Sequence, residues 1–314
     1  MRPLFGLHLP NYGSPGTPPE TIFDRTLELA LAAEEAGFGL VTVMDHFYQI
    51  GGVGPEDAPM LEAYATLAAL AARTSRIRLA TLVTGVTYRN PALLAKTVTT
   101  LDAISRGRAI LGLGAAWNQD EHRGYGFEFP PIGERMDRLD EALTICRLLF
   151  TEERPSFEGR FYRIDAALNF PRPVQPGGPK VLIGGGGEQR TLRLVARHAD
   201  ISHWFPLGVE ALTRKRDLLA RYCEEIGRDP ETILRTMSAP VIVVADERAG
   251  AAILERMPPE RRAVMSVATP EGAADLIRGY MALGFGGFTF ANTQLPTVES
   301  VHQAGEVLKL LDAR

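Results

Sequence analysis

Cysteine is nearly missing from this 314-residue chain: Cys146 and Cys223 are the only two, far apart and both in helical-looking stretches. That argues against a disulfide framework or a cysteine-built metal site, and two buried thiols are the plainer reading. Long apolar runs are missing too. No segment has the uninterrupted length of a membrane span, and the first ten residues, with one basic side chain and a broken apolar run, do not make a signal peptide. A cytoplasmic protein is expected. There is no block of like charge, and 34 lysines and arginines against 38 acidic residues leave a formal charge of −4. A nucleic-acid footprint or an electrostatically held membrane partner is therefore not expected. The expected partner is a small-molecule substrate, and a homodimer is compatible with the chain. His8, His122, His198, His203 and His302 show no close His/Cys pairing with metal-ligand spacing, so no metal is expected.

What is present is enough apolar material for a large core: 45 % hydrophobic against 23 % charged residues. Short β-rich runs fall at residues 4–9, 40–44, 77–83, 109–113, 180–183, 200–202, 239–244 and 287–290. Most are nearly continuously apolar, as parallel strands covered on both faces must be. Helical stripes follow them. Asn90-Pro91 reads as N-cap and first helical residue before Leu94, Val98 and Leu101, and Met136, Leu139, Leu143, Cys146 and Phe150 share one face. Alternating β and α elements leave the open doubly wound sheet or the closed eight-fold barrel, and eight strands over the whole length favour an α/β fold of the (β/α)8 TIM-barrel kind. Residues 1–314 are expected to form a single barrel domain with insertions at about 114–133, 151–179 and 245–268. Residues 157–162 look like a small hairpin.

In such a barrel the chemistry sits just after each strand, where the C-terminal ends converge. Those positions hold Asn11, Asp45-His46, residues 84–89, residues 114–121, Gly184-Gly185-Gly186-Gly187 and His203-Trp204. Four glycines ahead of a helical stretch offer backbone N–H groups to a phosphate. Gly112-Leu113-Gly114 lacks the third glycine of a dinucleotide fingerprint and is a weak signal. His46 could exchange a proton near neutral pH, with Asp45 or Glu62 orienting it; equally, the Asp-His pair could simply cap a helix or close a loop. Trp117 and Trp204 are packing residues or rim aromatics able to cover a planar ligand.

Taken together, Asp45-His46-Phe47, the stretch from Leu82 to Ala92, Leu101-Asp102 with Ser105-Arg106-Gly107-Arg108, residues 112–117 with Glu121 and Tyr125-Gly126, and Ile183 to Gly187 with Ala199-Asp200 resemble the luciferase-like monooxygenase superfamily. The likeness runs in order over nearly the whole chain. It implies a barrel that binds FMN or the deazaflavin coenzyme F420 at the strand ends, and the Asp45 and Leu82–Arg89 motifs are closer to the deazaflavin branch. By the same resemblance His46 lies near the reactive ring carbon, a strand-three bulge at Leu82-Val83 backs the ring, and a non-prolyl cis peptide is expected there. Where the family's sugar-phosphate dehydrogenases carry a loop glutamate, this chain has Trp117-Asn118, so their substrate and proton-transfer scheme are not expected to carry over, whereas the cofactor site is.

The first expectation is thus an oxidoreductase passing a hydride between F420 and a small organic substrate. His46, Asp45 and Glu62 are its catalytic candidates, and Leu82, Val83, Thr84, Trp117, Asn118, Gly184, Gly185, Gly186 and Gly187 would hold the cofactor. The alternatives are an FMN-dependent monooxygenase served by a separate reductase, and a flavin-binding protein without catalysis.

Overall fold

The computed structural model describes residues 3–291 and 297–312. Eight parallel strands close into a barrel: β1 (Leu4–Leu9), β2 (Leu40–Val43), β3 (Arg78–Thr81), β4 (Ala109–Gly114), β5 (Lys180–Gly184), β6 (Ile201–Trp204), β7 (Leu234–Ser238) and β8 (Gly287–Ala291). Each pairs with its successor, and β8 returns to β1 with Leu4 opposite Gly287 and Leu7 opposite Phe290. Helices intervene between successive strands, the right-handed βαβ arrangement that parallel neighbours require.

Side chains alternate across each strand, and the core accordingly divides in two. One cluster fills the barrel interior, with Leu40, Ala80, Ile110, Leu182 and Ile201 packed against Leu4, Leu82, Val83 and Leu234. The larger cluster lies between strands and helices, and the Met136, Leu139, Leu143, Cys146 and Phe150 stripe belongs to it. Asn90 caps the helix Pro91–Ser105 by accepting from the amides of Ala92 and Leu93, as its position ahead of proline predicts.

The seventh strand departs from the sequence reading. The barrel uses Leu234–Ser238, whereas Val241–Val243 pairs with Ser266–Ala268 in a separate two-stranded sheet. Strand β7 is disguised by polar side chains that its surroundings satisfy: Thr236 meets His203 inside the barrel, and buried Arg235 binds the Gly284 carbonyl and Glu231. An apolar-run criterion passes over such a strand and selects the next stretch instead. Strand β3 also stops earlier than expected. It ends at Thr81, and Thr84–Gly85 forms a separate short strand against Leu113 and Gly114.

Two of the family-like motifs turn out to be scaffolding. Buried Asp102 accepts from the amides of Val174 and Gln175 and from the Gln175 side chain, which fastens the excursion at 151–179 to the barrel wall. Arg108 reaches the carbonyls of Ala71, Thr74 and Ile77, so its guanidinium closes the C-terminal end of the helix Ala63–Arg73. Within the excursion, Phe157–Glu158 and Arg163–Ile164 pair antiparallel, as the hairpin reading requires.

Candidate active site

Between β3 and the Thr84–Gly85 strand the Leu82-Val83 peptide is cis, at the position expected. Val83 turns into a slot that only glycine can line: a Cβ on Gly114 would lie 2.8 Å from one Val83 methyl, and one on Gly184 would lie 2.9 Å from both. A Cβ on Gly112 would stand 2.0 Å from the Thr81 carbonyl oxygen. The Gly112-Leu113-Gly114 pattern is thus explained by close packing around the bulge rather than by nucleotide binding. Thr84 is fully buried beside it, its hydroxyl 2.8 Å from Tyr64 Oη and 2.9 Å from Thr81 Oγ1.

His46 follows β2, and its partner is neither carboxylate named from the sequence. Glu121 approaches His46 Nδ1 at 2.7 Å, and also accepts from the amides of Phe47 (2.5 Å) and Tyr48 (3.0 Å) and from the Tyr88 hydroxyl (2.9 Å). A carboxylate can only accept here, so Nδ1 carries the hydrogen and Nε2 is the ring atom free to exchange a proton. Burial alone would raise the Glu121 pKa, but the bonds from His46 and the Tyr48 amide, the His46 charge and the Phe47 amide outweigh it and hold it below the usual value. Trp117 stands edge-on to the imidazole, centroids 5.4 Å apart, and is 61 % exposed.

Asp45 and Glu62 serve Arg89 instead. The guanidinium holds Asp45 with both terminal nitrogens, one of them at 3.0 Å, and reaches Glu62 at 2.6 Å while lying over the Tyr64 ring. Adjacent residues at a strand end point to opposite sides, so Asp45 and His46 diverge although they are neighbours. Glu62 also caps the helix Ala63–Arg73, accepting from the Ala65 amide. Burial disfavours the Arg89 charge, but the Asp45 carboxylate and its hydrogen bonds more than offset this and raise the Arg89 pKa.

The loop after β4 is shaped by its own devices. Ala116 takes a left-handed φ of 61°, and Arg135 fixes it by binding the Ala116 carbonyl at 2.6 Å. Asn118 caps the short helix Gln119–Tyr125, whose first turn carries Glu121 inward. An acid in a first turn ordinarily reads as a dipole partner, and nothing local shows that this one is buried against a residue 75 positions away.

The four glycines divide their work. Gly184 packs on Val83, and Gly185 takes φ +111° with its N–H donated to the His203 carbonyl. Only the amides of Gly186 and Gly187 lack a protein acceptor among the described residues. Gly186 does not take a positive φ, and a Cβ there would meet Lys215 at an ordinary 3.6 Å. Trp204 is not a rim residue either. It is buried, donates to Ser202 Oγ and packs edge-on to Phe285, whereas Phe205 beside it is exposed.

A sequence profile described as luciferase-like monooxygenase matches residues 4–281. The chain belongs to the luciferase-like monooxygenase family. An F420-dependent glucose-6-phosphate dehydrogenase of Intrasporangium calvum is 33 % identical over 304 residues, covering 85 % of this chain and 87 % of that one. An uncharacterized protein of Mycobacterium bovis is 40 % identical over 148 residues, and there the match spans about half the relative's length, 46 % of this chain and 51 % of that one. Among solved structures, an F420-dependent secondary alcohol dehydrogenase superposes with TM-score 0.79 at 22 % identity over 99 % of both chains. EDTA monooxygenase from Chelativorans sp. BNC1 superposes with TM-score 0.84 at 16 % identity, over 100 % of this chain and 94 % of its own. At these identities the two structures support the shared fold.

Proposed function

We propose that this member of the family is an oxidoreductase that passes a hydride between the deazaflavin coenzyme F420 and a small organic substrate. The observation that carries the reading is the His46–Glu121 pair beside the strand-three bulge. A proton-exchanging nitrogen is fixed at the mouth of the barrel, next to a backbone segment shaped by a glycine slot. The name of the relative aligned over 85 % of the chain supports F420 as the cofactor.

The donor set suits a tricyclic ring bearing a phosphate. Leu82, Val83 and Thr84 would lie against the ring, Trp117 and Asn118 would border it, and the free amides of Gly186 and Gly187 would face the phosphate. When bound, the deazaflavin supplies a carbon that gives or takes a hydride. The protein supplies the proton. Nε2 of His46 takes the hydroxyl proton as an alcohol is oxidised, or returns one to a carbonyl oxygen in the reverse direction, while Glu121 keeps the imidazole in the one tautomer that permits this. Asp45, Arg89 and Glu62 brace the loops around it without touching the imidazole.

The test is a titration of the purified protein with F420 and with FMN under identical conditions, read by fluorescence. F420 is expected to bind more tightly. Tighter FMN binding would overturn this reading in favour of a monooxygenase that uses FMN and a separate reductase.

A further inference from the structure

The glycine turn after β5 has a cationic neighbour that no motif in the sequence marks. Lys215, on the helix Val209–Glu224, donates its Nζ to the Gly186 carbonyl at 2.5 Å and lies 3.2 Å from Glu188. Arg214 donates to the same Glu188 oxygen at 3.1 Å. Two cations thus share one carboxylate beside the two amides that lack an acceptor. Their exposures differ in a useful way: Arg214 is 60 % exposed, where water screens it, but Lys215 is only 14 % exposed. The Lys215 stem passes Gly186 at 3.6–3.8 Å from where a Cβ would be, so the ammonium is held over the turn rather than sweeping through solvent. A half-buried ammonium with half a carboxylate to itself is a binding position for a dianion or monoanion, and a phosphate is the anion the proposed cofactor brings.

We propose that Lys215 supplies the positive charge that meets the phosphate of the cofactor, and that Glu188 is a resident carboxylate which the phosphate displaces. The inference rests on the cofactor reading above and adds to it a residue and a competitor. Glu188 keeps the ammonium aimed at the turn. It also sets a limit on affinity, because each phosphate oxygen that approaches must replace a carboxylate oxygen.

The two roles have opposite signs, which makes them separable. Lys215→Met keeps the stem and removes the charge, and Glu188→Gln keeps the shape and removes the competitor. Each variant and the wild type are titrated by fluorescence with F420 and with the deazaflavin nucleoside that lacks the phosphate. Lys215→Met is expected to weaken F420 binding about tenfold or more, and to leave the phosphate-free ligand within about twofold. Glu188→Gln is expected to tighten F420 binding about two- to fivefold, the scale of a partly exposed ion pair. The Lys215 contribution should shrink as salt is raised. Equal loss for both ligands in Lys215→Met would make the lysine a structural prop and overturn the proposal, as would weaker F420 binding by Glu188→Gln. Thermal melting confirms that the variants fold, and Glu188→Gln decides alone if Lys215→Met does not. A wild type that binds neither ligand overturns the cofactor reading and this inference with it, a pattern distinct from loss of phosphate discrimination alone.

Discussion

The two halves of the barrel mouth are built from different materials. After β2, β3 and β4 the rim is a mesh of charge, in which buried Asp45 and exposed Glu62 grip Arg89, and buried Glu121 gathers His46, Tyr88 and two backbone amides. After β5, β6 and β7 the barrel interior offers glycine turns and neutral hydroxyl partners, with His203 between Thr236 and Ser238, and the charges of Lys215, Arg214 and Glu188 stand at the outer side of the glycine turn. A buried charge is costly to move once its partners are set, so the first half fixes a few atoms in place. Glycine and hydroxyls leave room and donors. Under the proposed function this difference becomes a division of labour, with proton transfer on the charged side and the hold on an anionic ligand on the open side.

The sharpest way to break that division is His46→Ala. If the charged half handles the proton and the open half holds the ligand, turnover should fall by about two orders of magnitude or more, while the fluorescence titration with F420 stays nearly unchanged. A variant that turns over normally would remove His46 from the mechanism. One that loses the ligand would erase the boundary between the halves.

The seam between them is tested by Gly112→Ala. Its new methyl group would stand 2.0 Å from the Thr81 carbonyl oxygen, a backbone atom that cannot swing aside. Overpacking of this kind costs about 1–3 kcal/mol, to be read from urea denaturation, with a matching loss of F420 affinity as the bulge shifts. An unchanged denaturation midpoint would mean that the slot is looser than its distances imply.

Glu121→Gln sharpens the charged side. An amide offers one acceptor oxygen where the carboxylate has two, so either the pair His46 Nδ1 and Tyr88 Oη or the amides of Phe47 and Tyr48 must face an NH2 group. Stability should drop by about 1–3 kcal/mol, the range for a buried polar group left unsatisfied. Turnover should fall less than in His46→Ala, because the imidazole remains. Equal turnover losses in the two variants would indicate that orientation is the whole of the His46 contribution.

These two sides were not equally legible in the sequence. The barrel could be read because apolar parallel strands announce themselves, and the bulge because the Leu82–Arg89 stretch resembles the family. The place of His46 at the barrel mouth is legible from its position after β2. The true partner of His46 is not, since Glu121 comes from another loop and closeness in sequence points to Asp45, whose side chain leaves the strand end on the other side. On the open half, an apolar-run criterion misplaces β7 because Thr236, Ser238 and Arg235 look like surface residues until the barrel interior and Glu231 are there to satisfy them. Lys215 gave no signal at all, being one cation among many on a surface helix. Residues that act through a distant partner stay hidden in a one-dimensional pattern; those that act through a local pattern do not.

The smallest expected effect separates neutral from charged groups by pH. Burial pushes the pKa of His203 down to about 3, and of His8, next to Thr42 inside the barrel, down to about 4. An imidazole in the unfolded chain titrates near 6.5. The unfolded state therefore binds protons that the native state refuses, and stability that is fully present above about pH 6.5 is lost as pH falls toward the folded values. Each group contributes a slope of about 1 kcal/mol per pH unit in that window. Glu121, whose folded pKa lies below its usual 4.5, contributes with the same sign only at lower pH, as the medium passes that value and approaches the folded one. Urea denaturation at intervals from pH 7 to 5 should thus show a decline above the range in which Glu121 titrates. His203→Gln keeps a hydrogen-bonding side chain that carries no charge, and should flatten the decline by about one proton's worth. If the slope between pH 7 and 5 is the same in that variant, His203 takes up its proton in the folded protein as readily as in the unfolded chain, and the hydroxyl partners around it do not keep it neutral.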